Sequence, residues 1–157
     1  MLSNCAGRNN TGTCNFFVGV AAGCNNTAAN GIFLGNRAGQ CNTSGTGNIF
    51  IGSQSGCGSN SKTGTYNVSL GRVAGANLSS GSYNTFLGNG AGSRVTTGLC
   101  NIYIGCSAGG GTGDKTGNNN IVMGSHSGCL MTSGCDNVFL GQFAGQGNTT
   151  GCYNIFF

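Results

Sequence analysis

The chain has 157 residues, a net charge of +4, 5% charged residues, 33 Gly and no Pro. Long solvated helices carry many more Lys and Glu residues, and Gly without a three-residue period excludes collagen. Recurring apolar clusters argue against a disordered chain, so the composition predicts an all-β protein with many tight turns.

One short repeat runs through the whole sequence. It consists of Asn, three apolar residues, an anchor Gly, two variable residues, Ala or Ser, and a second Gly, as in residues 48–56 and 84–92. Three apolar residues between turn signals predict a short strand that the anchor Gly ends. The predicted strands are, in chain order, residues 16–18, 32–34, 49–51, 68–70, 85–87, 102–104, 121–123, 138–140 and 155–157.

The spacing of these repeats predicts a β-solenoid. Successive anchor glycines are 16 to 19 residues apart, enough for one coil with one clear strand. A single unit of this size has no core of its own, whereas stacked units share one. We expect residues 1–157 to form one parallel β-helix-like array of nine coils, with equivalent residues about 4.8 Å apart. Both ends of the sequence fall inside a repeat, which predicts a segment of a longer or end-to-end stacked fibre.

Side chains alternate between the two faces of a strand, so the middle residue points to one face and the first and third residues point to the other. We expect the aliphatic first and third residues to fill the coil, and the middle residues to meet another chain in a homotrimer or filament. These predicted inter-chain residues are Phe17, Phe33, Phe50, Phe86, Tyr103, Phe139 and Phe156. Two alternatives remain: the faces are reversed, with aromatic residues inside, or a wider coil buries both faces.

The Asn that opens each repeat forms a nearly constant column. Such a column suits either sugar binding or a ladder of stacked amides that hydrogen-bond from coil to coil. The constancy of the position favours the ladder. Its predicted members are Asn48, Asn67, Asn84, Asn101, Asn120, Asn137 and Asn154.

Ten Cys favour disulfides in an oxidising compartment over free thiols. The absence of a Cys-x-x-Cys pair argues against a metal site. Cys135 and Cys152 share one column in adjacent coils, within disulfide reach. Cys24, Cys41 and Cys57 lie within one position of a common column, and only one pair can form among them.

Nothing in the sequence indicates catalysis, a cofactor or a metal. The two acids, Asp114 and Asp136, fall in turns of different coils, and the single His126 occupies a variable position. The six Lys and Arg residues are scattered, which argues against nucleic-acid binding, and no apolar run is long enough for membrane insertion. We therefore expect a protein that is not an enzyme.

Repeats of the form found at residues 84–92 resemble those of phage and virus tail fibres, and more distantly the head repeats of trimeric autotransporter adhesins. The resemblance implies a trimeric extracellular fibre that binds a surface glycan or supports a distal tip that does so. The leading hypothesis is thus a structural fibre at the virion or cell surface, whose partners are further copies of itself and surface glycans.

Two other functions stay open. One is a glycan-binding adhesin module whose variable turns contact sugars. The other is an ice-binding solenoid, suggested by a regular hydroxyl column: Thr11, Thr27, Ser44, Thr63, Ser80, Thr97, Thr116, Ser133 and Thr150.

Overall fold

The computed structural model describes residues 5–58 and 62–157 and shows one nine-stranded parallel sheet. Each strand pairs with the next in the sequence, so the chain is a parallel β-solenoid, as predicted. The described residues contain no helix. The strands are β1 (Phe16–Val18), β2 (Ile32–Leu34), β3 (Ile49–Ile51), β4 (Val68–Leu70), β5 (Thr85–Leu87), β6 (Ile102–Ile104), β7 (Ile121–Met123), β8 (Val138–Leu140) and β9 (Ile155–Phe156).

Equivalent positions of the repeat pair in neighbouring strands, whatever the number of residues between the strands. Ile49 pairs with Val68 across a step of 19 residues, and Val68 pairs with Thr85 across a step of 17. The extra residues are therefore accommodated outside the strands. Main-chain hydrogen bonds also join successive coils away from the sheet, for example from Gly92 N to Ala108 O and from Ser79 N to Thr96 O.

Glycine is required at two corners of each coil for different reasons. The anchor Gly88 has a φ of +129°, and a Cβ there would lie 2.7 Å from the carbonyl oxygen of Gly105 in the next coil. The second glycine, Gly92, has a φ of +59°, and its missing Cβ leaves the space that the Phe86 ring occupies. The repeat thus keeps Gly where backbones approach closely or where an aromatic ring lies over the main chain.

The middle residue of each strand points into the interior. The expectation that the first and third residues fill the coil is therefore wrong. Phe33, Phe50, Phe86, Tyr103 and Phe139 have no exposed surface. The predicted inter-chain column is therefore an interior column: Phe17, Phe33, Phe50, Phe86, Tyr103, Phe139 and Phe156, of which Phe17 is half-buried and Phe156 is 40% exposed. The reversed alternative describes the coil correctly.

The small cross-section of the coil explains this arrangement. Because corners flank a strand of three residues, only its middle side chain points inward, and the ring lies against the second Gly and a buried Ala such as Ala91. Equivalent rings stack along the rod, with centroids 5.1 Å apart for Phe17 and Phe33 and 5.2 Å apart for Phe33 and Phe50. This offset stacking adds to the energy of burial.

The first and third residues of the strands point outward and form what we call the aliphatic face. It runs along all nine strands and contains one polar side chain, Thr85. Ile102, Ile121 and Met123 keep 37–38% of their surface exposed. The members of this face are Phe16, Val18, Ile32, Leu34, Ile49, Ile51, Val68, Leu70, Thr85, Leu87, Ile102, Ile104, Ile121, Met123, Val138, Leu140 and Ile155.

The facing of the strands can be tested with two neighbouring substitutions. Phe86→Ala removes a fully buried ring, so we expect it to lower the free energy of unfolding by about 3–5 kcal/mol. Leu87→Ala, the matched control on the aliphatic face, should cost about 1 kcal/mol or less because its side chain is already partly in water. Chemical denaturation at low protein concentration measures both values. A larger loss for Leu87→Ala would contradict the orientation of the strand.

Candidate functional site

The Asn column forms an interior ladder of amides. The main-chain N of Asn84 donates to Oδ1 of Asn67 over 2.9 Å, and the amide nitrogen of Asn84 donates to the same oxygen over 3.1 Å. That amide nitrogen also donates to Gly98 O over 2.8 Å, in the following coil. Each amide therefore bonds to the coils on both sides. The same pattern connects Asn48, Asn67, Asn84, Asn101, Asn120, Asn137 and Asn154.

This ladder is inaccessible to a ligand. Asn67, Asn101 and Asn120 have no exposed surface, and their amide oxygens already accept two hydrogen bonds from the next coil. Gly31 replaces Asn in the second repeat, and its main-chain N still donates to Oδ1 of Asn15 over 2.7 Å. The column thus holds neighbouring coils together and presents no amide to a sugar.

A second interior column was not predicted from the sequence. It begins as another amide ladder, in which Asn26 donates to Asn10 and Asn42 donates to Asn26, each over 2.8 Å. Farther along the rod the same interior region contains apolar residues and two lysines. The buried residues there are Asn26, Asn42, Lys62, Leu78, Val95, Lys115 and Met131.

Lys62 and Lys115 each belong to a 19-residue coil and are 2% and 1% exposed. Nζ of Lys62 donates to Ala76 O over 3.1 Å and to Leu78 O over 2.6 Å. Nζ of Lys115 makes the equivalent bonds to Cys129 O and Met131 O. Each ammonium therefore bonds to carbonyl oxygens of the next coil, and no ion pair to it is seen within residues 5–58 and 62–157.

Burial without a counter-charge changes the titration of both lysines. Desolvation lowers the pKa of Lys62 to about 8, partly opposed by the nearby Cys57 and Cys41 thiols. It likewise lowers the pKa of Lys115 to about 8, with Cys129 opposing this shift and Arg94 adding to it. In the two long coils each lysine thus bonds to the next coil from the second interior column, at the cost of a buried charge.

The cysteines follow the prediction in part. Cys135 and Cys152 form a disulfide between adjacent coils, with their Cα atoms 4.6 Å apart. Cys24, Cys41 and Cys57 are free thiols, so the expected single pair among them is not present. Cys41 N donates to Cys24 O, which places these two residues in adjacent coils, and Cys57 Sγ lies 3.6 Å from Oε1 of Gln40. Burial raises the pKa of the Cys57 thiol.

The hydroxyl column lies on the outside of the solenoid. Thr11, Thr27, Ser44, Thr63, Ser80, Thr97, Thr116, Ser133 and Thr150 are all exposed. Each is followed by a small residue, Gly or Ala, that is buried in most coils, such as Gly64 and Gly98. Beside this column, Ser79 and Thr132 donate to main-chain oxygens of the next coil and are thereby fixed. The exposed hydroxyls thus form one regular row with a coil-to-coil spacing of about 4.8 Å.

The residues considered for catalysis form no common site. His126 shares a 2.9 Å hydrogen bond with the Ser125 hydroxyl, and its ring lies against Phe143. Asp136 accepts a hydrogen bond from Asn119, and Asp114 is exposed. Among the described residues, no group of three His, Cys, Asp or Glu side chains could hold a metal ion.

A cavity of about 680 Å³ lies at the last coil, lined by Phe143, Gly145, Asn148 and Phe156 among others. In the preceding coil Gly128, Met131 and Phe139, the equivalents of Gly145, Asn148 and Phe156, are buried, so this cavity is the open end of the stack. None of the described segments forms a helix with the length and hydropathy needed to cross a bilayer.

Asn84→Asp tests the ladder with almost no change in shape. The carboxylate would face two oxygens, Gly98 O and Oδ1 of Asn67, where Asn84 now donates hydrogen bonds. We expect a loss of about 3 kcal/mol at pH 7, measured by chemical denaturation. Because this environment raises the pKa of the introduced carboxyl, stability should recover as the pH falls through that value.

The matched control for the ladder is Asn89→Asp. Asn89 is exposed on the outside of the following corner, so the same change of charge should have little effect there. Equal losses at both positions would show that the ladder does not contribute to stability.

The buried lysines predict a rise in stability at alkaline pH. Folding lowers their pKa from 10.5 to about 8, so the folded state favours the neutral amine. The cost of the charge is complete below pH 8 and is relieved as the pH rises toward 10.5. Over that interval the wild-type chain should gain on the order of 1–3 kcal/mol per lysine relative to Lys62→Met/Lys115→Met. Denaturation curves at pH 7.5 to about 10 measure the difference.

Arg72→Met is the matched control for the lysines, because Arg72 is an exposed cation in a neighbouring coil. Its stability relative to the wild type should stay constant over the same pH range. If the stability difference between the wild type and Lys62→Met/Lys115→Met is also independent of pH, burial does not lower the pKa of the two lysines.

Comparisons with protein-family models, with curated protein sequences and with solved structures find no match to this chain. Three features of the molecule bear on its function: the interior ladders, the exposed hydroxyl column and the aliphatic face.

Proposed function

We propose that the chain is a structural segment of an extracellular fibre, at the surface of a virion or a cell, which supports surface attachment. The observation that carries this proposal is the continuity of the ladders. Main-chain hydrogen bonds connect every strand to the next, and side-chain amide hydrogen bonds run from Asn48 to Asn154. Stacked rings add contacts between several of the coils, as for Phe17 and Phe33. A load along the rod is thereby shared among many parallel contacts, as a stiff spacer requires.

The shape and the interior support the same role. Nine coils at about 4.8 Å each give a rod roughly 43 Å long. The middle of this rod is filled by rings, amides and small side chains, and the groups considered for catalysis stay apart. The resemblance of the repeat to tail-fibre repeats points to the same class of protein.

The Cys135–Cys152 disulfide favours an extracellular location, because such bonds persist in oxidising environments. A glycan-binding role has weaker support, because the amide column suited to sugars is buried. The variable residues after each anchor Gly, such as Arg72 and Asn89, are exposed and remain its candidate contacts.

Immunogold electron microscopy of the source particles or cells tests the proposed role. Antibodies against the folded chain should label elongated appendages, with gold at a defined distance from their base. Label restricted to the cell interior would contradict a surface fibre. Label on a compact surface protein, with saturable binding of the isolated rod on a glycan array, would favour the adhesin.

Ice binding is a second candidate, favoured by the exposed and regular hydroxyl column. Its test is thermal hysteresis of the purified chain, with Thr97→Lys/Thr116→Lys as the variant because both residues are exposed in adjacent coils. Hysteresis that this variant abolishes would support the candidate. No hysteresis in the wild-type chain would reject it.

A further inference from the structure

We propose that the aliphatic face is an interface between two copies of this chain, packed sheet against sheet. The face is continuous along the solenoid, and apart from Thr85 its side chains are entirely apolar. The inference concerns how copies associate. It holds or fails independently of the structural role proposed above.

The composition of the face differs from that of the rest of the surface. Elsewhere the coil exposes mainly hydroxyls, amides and isolated charges, such as Thr97, Asn89 and Arg94. The large apolar residues exposed there, such as Val20, Leu99 and Phe143, are scattered and form no continuous column. The aliphatic face includes no charged residue in its two columns, although Phe16 and Ile155 are more than half exposed. Soluble monomers rarely expose a continuous apolar surface of this length, and those that do usually use it for binding.

The size of the face suits a stable pair. Nine strands span about 43 Å along the rod, and three residues plus one flanking residue on each side span about 16 Å across it. The product is roughly 700 Å² per copy, or about 1,400 Å² in a pair. That value falls within the range of specific protein interfaces, which bury about 1,200–2,000 Å².

The periodicity of the face points to a second copy as its occupant. Its side chains form ridges about 4.8 Å apart, and another copy presents ridges with the same spacing. Two such sheets can interdigitate into a dry interface, as stacked β-sheets do. A symmetric pair places the same patch on both sides of the contact, so self-complementarity is the only requirement.

The flanking columns have the composition of an interface rim. On one side, Arg72 and Gln142 follow the anchor glycines and are exposed. On the other side, Tyr66 and Tyr83 stack with centroids 5.6 Å apart while 56% and 60% exposed. An apolar centre bordered by Arg, Tyr and amide side chains matches the anatomy of known interfaces.

The geometry favours a pair over a trimer. The strands of the described residues present a single aliphatic face, which one partner with the same face is sufficient to cover. Three chains around an axis would each need two such faces, or would leave part of the single face in water.

The test compares three proteins by sedimentation equilibrium. Leu87→Lys/Ile104→Lys puts two charges on the face in adjacent coils, at outward positions where Lys does not disturb the interior. Thr97→Lys/Thr116→Lys is the matched control, with the same added charge in adjacent coils on the hydroxyl column. Circular dichroism and thermal unfolding confirm that each variant is folded.

We expect the wild-type chain and the control to sediment at about twice the 15.6 kDa of one chain, and the face variant to sediment as a monomer. A wild-type monomer or trimer at high concentration would overturn the proposal. A dimer that persists in both variants would also overturn it. Flotation of a monomeric chain with phosphatidylcholine vesicles would do the same, because it would make the face a lipid contact. None of these results changes the immunogold outcome, so the two proposals fail separately.

Discussion

Stacking in register at a spacing of about 4.8 Å is the constraint on which the rest of this solenoid depends. One coil contributes a single inward side chain from its strand, an Ala and one residue of the second interior column. That is too little to form a core. Burial is achieved only when the same residue type recurs directly above and below, so each coil is stabilised by its two neighbours. The repeat is therefore a consequence of the geometry.

This constraint explains which positions are constant and which vary. An anchor Gly touches the equivalent Gly of the next coil, and an Asn satisfies donors and acceptors in two coils at once. A different side chain at either position would disturb three coils together. The corner residue two after the anchor is not buried, so side chains as different as Arg37, Val73 and Phe143 are found there, each with a positive φ.

The two 19-residue coils differ from the others in their interior side chains. In each of the two long coils a lysine, Lys62 or Lys115, lies in the interior, and its long side chain reaches the carbonyl oxygens of the next coil. Interior cations are costly, and their lowered pKa reflects that cost. The register of the sheet across these long coils is the same as elsewhere.

The strand positions, the parallel stacking and the Cys135–Cys152 bond could all be predicted, because each depends on spacing alone. The facing of the strands could not. Alternation shows that Thr85 and Leu87 share a face opposite Phe86, but it does not show which face is inside. The missing information was three-dimensional: Gly92 leaves room for a ring next to the strand, and Gly88 brings the next coil too close for anything larger.

The second interior column was hidden for a related reason. Asn42, Lys62, Leu78 and Val95 differ in chemistry, and the position of Lys62 is displaced by the longer coil. A constant distance from the anchor Gly therefore does not align them. Their common feature is access to the same strip of interior, in which an amide or an ammonium bonds to main-chain oxygens and an aliphatic side chain fills the space.

Placing the aromatic residues inside has a consequence for the outer surface. The strand must keep β-branched and aliphatic residues at its two outward positions, since these stabilise a pleated sheet whichever way they face. Local strand stability alone would also allow Thr, which occurs once, at Thr85. The selection of Ile, Val and Leu at nearly every other outward position exceeds what the strand needs. It is the composition that the proposed pairing of two copies would require.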